Sequence, residues 1–212
     1  MTNTRAGKEN NIFAVRNMTI LGVLTALLAI LALTPLGYLK TGGLSITFNM
    51  IPVAIAAIVL GWKGGAILGG VFGLTSIIHA YQGASLTTIL LDISVPKTIV
   101  LSFAPRILMG ICVGLVFSIM AKHIKSKAVC FSVCGLLSAA LNTIFYMSSL
   151  VGLFYSSDYI QDKWESIAAG KNAIVFIAVF VGTNAIVEAI SATIITSAIM
   201  MALYKAKLVK LK

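Results

Sequence analysis

Charge is what this chain has least of. Only 10% of its 212 residues are charged, while 59% are hydrophobic; an average soluble domain carries about 25% charge. A water-soluble core of this length has no room for so much apolar surface. Acids are scarcer still, six in all, and Asp92 and Glu188 do not form a metal set. Cysteine is limited to Cys112, Cys130 and Cys134. Cys130 and Cys134 share a helix face, but no histidine or third cysteine is near to complete a metal site, so all three read as small buried hydrophobes. The chain contains no G-x-x-x-x-G-K-[ST] phosphate loop, so any ATP that drives it must be used by other chains. Catalytic groupings are missing too. Ser76 and His79 stand three apart without an oxyanion loop, which excludes a recognisable nucleophile and base. Tryptophan is limited to Trp62 and Trp164. Few aromatics accompany the basic residues, so the net charge of +10 points to membrane orientation and anionic lipid rather than to nucleic acid.

What the chain does have is long apolar runs. They predict an all-α membrane protein, a six-transmembrane-helix bundle filling a single domain over 1–212. The spans expected are Met18–Leu33, Ile46–Leu60, Gly65–Ala80, Thr98–Ala121, Ala128–Phe154 and Asn172–Tyr204. The second is short for a full crossing. Residues 1–17 form a polar, basic N-terminus, and the run after them lacks a small-residue cleavage site, so it reads as a retained helix.

The basic residues set the orientation. Arg5, Lys8, Arg16, Lys63, Lys122, Lys125, Lys127, Lys205, Lys207, Lys210 and Lys212 fall on one side of the six spans. Lys40, Lys97, Lys163 and Lys171 fall on the other. This asymmetry predicts both termini in the cytoplasm. The long connections Pro35–Ser45, Tyr81–Lys97 and Tyr155–Lys171 then all lie outside, where such segments often serve as lids or binding loops.

The last of the 16 basic residues is Arg106, in "FAPRILMG" within the fourth span. It lies roughly 12 Å from the outer end at 1.5 Å per residue. A charge near mid-bilayer costs at least ~2.5–3.5 kcal/mol, so it must face protein or water. The other polar residues gather at the same depth. Ser138, Asn142, Tyr146 and Ser149 form a stripe on the fifth span, and Asn184, Glu188 and Ser191 one on the sixth. His79 and Asn49 lie near the outer ends of the third and second spans. Together they predict an outward-facing cup with Arg106, Asn142, Tyr146, Asn184, Glu188, His79 and Asn49 as substrate-binding candidates. The guanidinium fork suits a carboxylate. The alternatives are an Arg106–Glu188 pair joining two helices, interhelical hydrogen bonds for the asparagines and a helix cap for Asn49.

Small residues mark other faces. Gly61, Gly65, Gly69 and Gly73 recur every four residues, and Gly110 and Gly114 do the same on the fourth span, a pattern for close helix packing. Gly22, Ala26 and Ala29 line the first span, for internal packing or for docking another membrane protein.

The stretch "ITFNMIPVAIAAIVLGWKGGAILGGVFGLTS" (Ile46–Ser76), with "PRILMG" and "NAIVE" further on, resembles the S components of energy-coupling factor (ECF) transporters, most closely the pantothenate-type branch. The resemblance implies a multi-pass protein of a prokaryotic plasma membrane. Such a protein captures a vitamin from outside, binds no cofactor itself, and docks on a membrane coupling subunit driven by two cytoplasmic ATPases. It implies that Gly22, Ala26 and Ala29 lie on the docking face. With one cation, several amides and hydroxyls, and little stacking surface, the cup suits pantothenate. Folate, riboflavin and pyridoxine are the alternatives, and a standalone secondary transporter is the rival mechanism.

Overall fold

The computed structural model describes residues 12, 14–34, 37–41, 44–81, 86–162 and 173–209. Arg5, Lys8, Lys163, Trp164, Lys171, Lys210 and Lys212, all used in the expectations above, lie outside them. The described chain is a helical bundle: α1 (Val15–Leu33), α2 (Met50–Leu60), α3 (Trp62–Tyr81), α4 (Leu86–Ile93), α5 (Val95–His123), α6 (Lys127–Phe154) and α7 (Ala173–Lys205). Five helices are long and apolar enough to cross a bilayer: α1, α3, α5, α6 and the Asn184–Lys205 part of α7.

The sixth apolar run behaves differently from the rest. Its first residues are strand, not helix. Leu44–Thr47 (β2) pairs antiparallel with Tyr38–Thr41 (β1), with Tyr38 opposite Thr47. The Phe48 amide closes the hairpin on the Gly37 carbonyl at 3.2 Å. Helix α2 therefore starts only at Met50 and spans about 16 Å, roughly half the apolar thickness of a bilayer. It is also the central helix. It touches α1, α3, α5, α6 and α7, and Met50 through Ile58 are all buried. Its run of Ala, Val and Ile is apolar on every side because protein surrounds it on every side.

Two features of glycine organise the bundle. Gly61 joins α2 to α3 with φ 77° and ψ −172°, a conformation that an L side chain rarely adopts. The glycine stripes predicted to pack do so against each other. A Cβ on Gly65 would strike the Gly110 carbonyl, and one on Gly110 the Gly65 carbonyl. Gly69 lies in the same way on the backbone of Arg106, Gly73 on that of Ser102, and Gly114 on that of Trp62. Antiparallel α3 and α5 thus run backbone to backbone along their shared length.

The helix ends sort by chemistry. The Arg16 guanidinium donates to the Leu208 carbonyl at 3.4 Å, which brings the start of α1 to the end of α7. The α2–α3 turn and the α5–α6 connection share this basic end. The hairpin and α4 occupy the other. The connection Tyr81–Lys97, expected to be irregular, holds α4. Two hydroxyls pin this helix: Thr88 donates to the Ala80 carbonyl and Thr98 to the Leu90 carbonyl, each at 2.7 Å.

The apolar interior falls into two clusters. The larger joins α1, α2, α3, α5, α6 and α7 and includes Leu28, Met50, Leu68, Phe72, Met109 and Phe131. The smaller lies at the hairpin end and contains Leu90, Leu101, Met147, Leu150, Phe154 and Ile160. The level between them is polar.

Candidate functional site

Arg106 stands at that level. On α5 the residue below it in the larger cluster is Met109, and the residue above it in the smaller one is Leu101. Its side chain is buried, with 8% of its surface exposed. Its charge centre lies 4.6 Å from the ring centroid of Tyr146 on α6 and 5.3 Å from that of Phe72 on α3. Both rings offer their π systems to the cation, each contact contributing about 0.5–2 kcal/mol. One guanidinium N–H donates to the Leu101 carbonyl at 2.7 Å. Three helices therefore hold the cation in place.

For Glu188, the alternative of a pair with Arg106 gives way to another contact. Buried Glu188, near the middle of α7, accepts a hydrogen bond from the Thr47 amide at 2.8 Å. The carboxylate thus holds the last residue of the hairpin against α7, and the hairpin reaches down to mid-helix instead of lying over the bundle. A hydrogen bond to a charged acceptor contributes about 1.5–3 kcal/mol. Glu188→Ala is therefore expected to speed hydrogen exchange of the hairpin amides by about tenfold or more. Glu188→Gln, whose amide carbonyl still accepts, is expected to hold exchange near the wild-type rate. Hydrogen exchange read by mass spectrometry over Tyr38–Thr47 checks both.

Asn142 is one turn before Tyr146 on α6, and Asn184 is one turn before Glu188 on α7, which packs along α6. Their Oδ1 atoms are buried, and neither receives a hydrogen bond from the described residues. A buried amide oxygen without a donor is costly, by about 1–3 kcal/mol. Asn49 is fully buried at the foot of the hairpin. Its backbone is already helical, and its side chain makes no cap, so the capping alternative does not hold. His79 is half-buried, two turns beyond Phe72 on α3.

Arg106 and Tyr146 are thus in direct contact. Glu188 binds the hairpin instead, and the two asparagines lie one turn from Tyr146 and from Glu188 on their own helices. Phe72 is the residue that sequence reasoning missed. An apolar residue on an apolar helix carries no signal of the cation packed against it. On α1, Gly22 and Ala26 are exposed and Ala29 is half-buried, while Leu24, Leu28 and Ala32 face inward. The described residues contain no cluster of three metal-binding side chains.

Comparison with known proteins places this architecture. A pantothenic acid transporter, PanT, of Lactococcus lactis subsp. cremoris is 33% identical over 170 residues, covering 76% of this chain and 79% of its own. A pantothenate transporter, PanT, of Leuconostoc mesenteroides is 34% identical over 118 residues, covering 51% of this chain and 54% of its own. The family model for the substrate-specific component of ECF transporters matches residues 16–200. That match takes in α2 to α6, the hairpin and most of α1 and α7, and the chain belongs to this family of multi-pass membrane transport proteins.

Proposed function

We propose that this chain is the pantothenate-capturing subunit of an ECF-type importer in a prokaryotic plasma membrane. The observation that carries the reading is the buried Arg106 guanidinium, in contact with the Phe72 and Tyr146 rings between two apolar cores. A fixed cation inside an apolar bundle favours an anion of matching shape. Pantothenate brings a carboxylate for Arg106, and hydroxyls and an amide N–H for the buried oxygens of Asn142 and Asn184. The names of the two relatives point to the same ligand.

The chain forms one domain over 1–212. The hairpin and α2 together make the sixth crossing, half strand and half helix. Irregular or paired backbone is tolerated at membrane depth where protein covers it. The basic end faces the cytoplasm and carries both termini, which sets the hairpin and α4 over the site on the outer side. His79 and Asn49 line the approach below them. The captured vitamin is handed over when the α1 face with Gly22, Ala26 and Ala29 docks on a membrane coupling subunit. Two cytoplasmic ATPases drive that step, and this chain binds no cofactor.

Titration calorimetry on the purified chain tests the ligand. Pantothenate is expected to bind without ATP or partner, and riboflavin, folate and pyridoxine to give no heat. Heat from one of those three and none from pantothenate overturns the assignment. Uptake by this chain alone in ATP-free proteoliposomes would favour the standalone secondary transporter.

A further inference from the structure

We propose that Pro105 is a positioning residue for the anion site: it releases the Leu101 carbonyl from the helix so that this carbonyl can anchor the Arg106 guanidinium. The inference rests on the reading of Arg106 as the partner of the ligand's carboxylate.

In a regular α-helix the carbonyl of residue 101 accepts from the amide of residue 105. Here residue 105 is proline, inside α5 and buried. It has no N–H, so the regular bond cannot form, and its ring presses on that same carbonyl. An orphaned carbonyl at this depth needs another donor. The donor is the next side chain along the helix: Arg106 reaches back and donates to Leu101 at 2.7 Å. The two residues act as a pair. Proline opens the acceptor, and arginine fills it.

The consequence is a cation ordered before any ligand arrives. Gly69 holds the Arg106 backbone against α3, Phe72 and Tyr146 lie against the guanidinium, and the Leu101 carbonyl fixes its rotation. A long side chain with four rotatable bonds otherwise loses that freedom on binding, which weakens affinity. A planar fork also grips a carboxylate well only from the correct angle.

The test is Pro105→Ala, which returns an N–H to residue 105 and lets the helix reclaim the Leu101 carbonyl. Alanine is the better helix former, so the variant is expected to fold with an unfolding midpoint at or above wild type. Its affinity for pantothenate is expected to fall about tenfold, the scale of one hydrogen bond to a charged group. Its affinity for pantothenol, the neutral alcohol analogue, is expected to stay within about twofold, because no carboxylate is there to be aligned. Wild-type affinity for pantothenate in Pro105→Ala, with binding lost in Arg106→Ala, overturns the positioning role and leaves the site standing. Equal losses for both ligands overturn it too, since they report a distorted pocket rather than a misaimed cation. Wild-type affinity in Arg106→Ala overturns the reading of the site itself.

Discussion

Arg106→Ala is expected to abolish pantothenate binding while leaving the bundle folded. Truncating one partner of a buried, hydrogen-bonded charge contact costs about 2–5 kcal/mol, which corresponds to about a 30- to 5,000-fold loss of affinity. The fold survives because of where the other charge is. Were Arg106 the partner of Glu188, its removal would strand a buried carboxylate, and the protein would be expected to collapse. Glu188 instead accepts from the Thr47 amide, a bond that Arg106→Ala does not touch. The variant loses at least the bond to the Leu101 carbonyl and the contacts to Phe72 and Tyr146, which lowers its melting midpoint without stranding a charge. Calorimetry with pantothenate and a thermal melt in the same detergent check the two halves separately. Unchanged affinity would reduce Arg106 to a helix-packing residue. Arg106→Lys is the informative neighbour: it keeps the charge without the planar fork, and its affinity is expected to fall between the two.

The burial of Arg106 and Glu188 was legible because a polar residue in an apolar run is conspicuous and has to face inward. The packing of α3 on α5 was legible for a similar reason: Gly65, Gly69 and Gly73 on one helix and Gly110 and Gly114 on the other leave room for two backbones and for nothing else. The hairpin was not legible. Ile46 and Thr47 run into the apolar stretch of α2 without a break in composition, and pairing with Tyr38 is a contact between segments that no local pattern displays. The partner of Glu188 was hidden for a related reason. It is a backbone amide, and any residue type supplies one. Phe72 looks like every other core phenylalanine until a cation is placed against it. Pro105 was visible, but its effect is felt four residues earlier, at a carbonyl the one-letter code does not show.

Ala26→Trp is expected to leave pantothenate binding intact and to bring uptake through the complete importer to background. Helix α1 buries one line of residues, Leu24, Leu28 and Ala32, against α2 and α3. Gly22 and Ala26 lie off that line. Both are exposed, and nothing in the protein lies within 4 Å of where a Gly22 side chain would begin. A tryptophan at Ala26 therefore points into lipid in the isolated chain and disturbs neither core. On the proposed partner the same indole would meet a helix brought close by the small alanine, and a well-packed contact does not absorb so large an insertion. Ala29 is half-buried, so Ala29→Trp is expected to weaken folding as well as docking, which makes Ala26 the cleaner probe. Uptake of labelled pantothenate by proteoliposomes holding the chain with its coupling subunit and ATPases reads the loss. Co-purification of the coupling subunit locates it at docking, and calorimetry on the isolated variant keeps binding separate. Normal uptake by Ala26→Trp would move the docking surface off this face of α1.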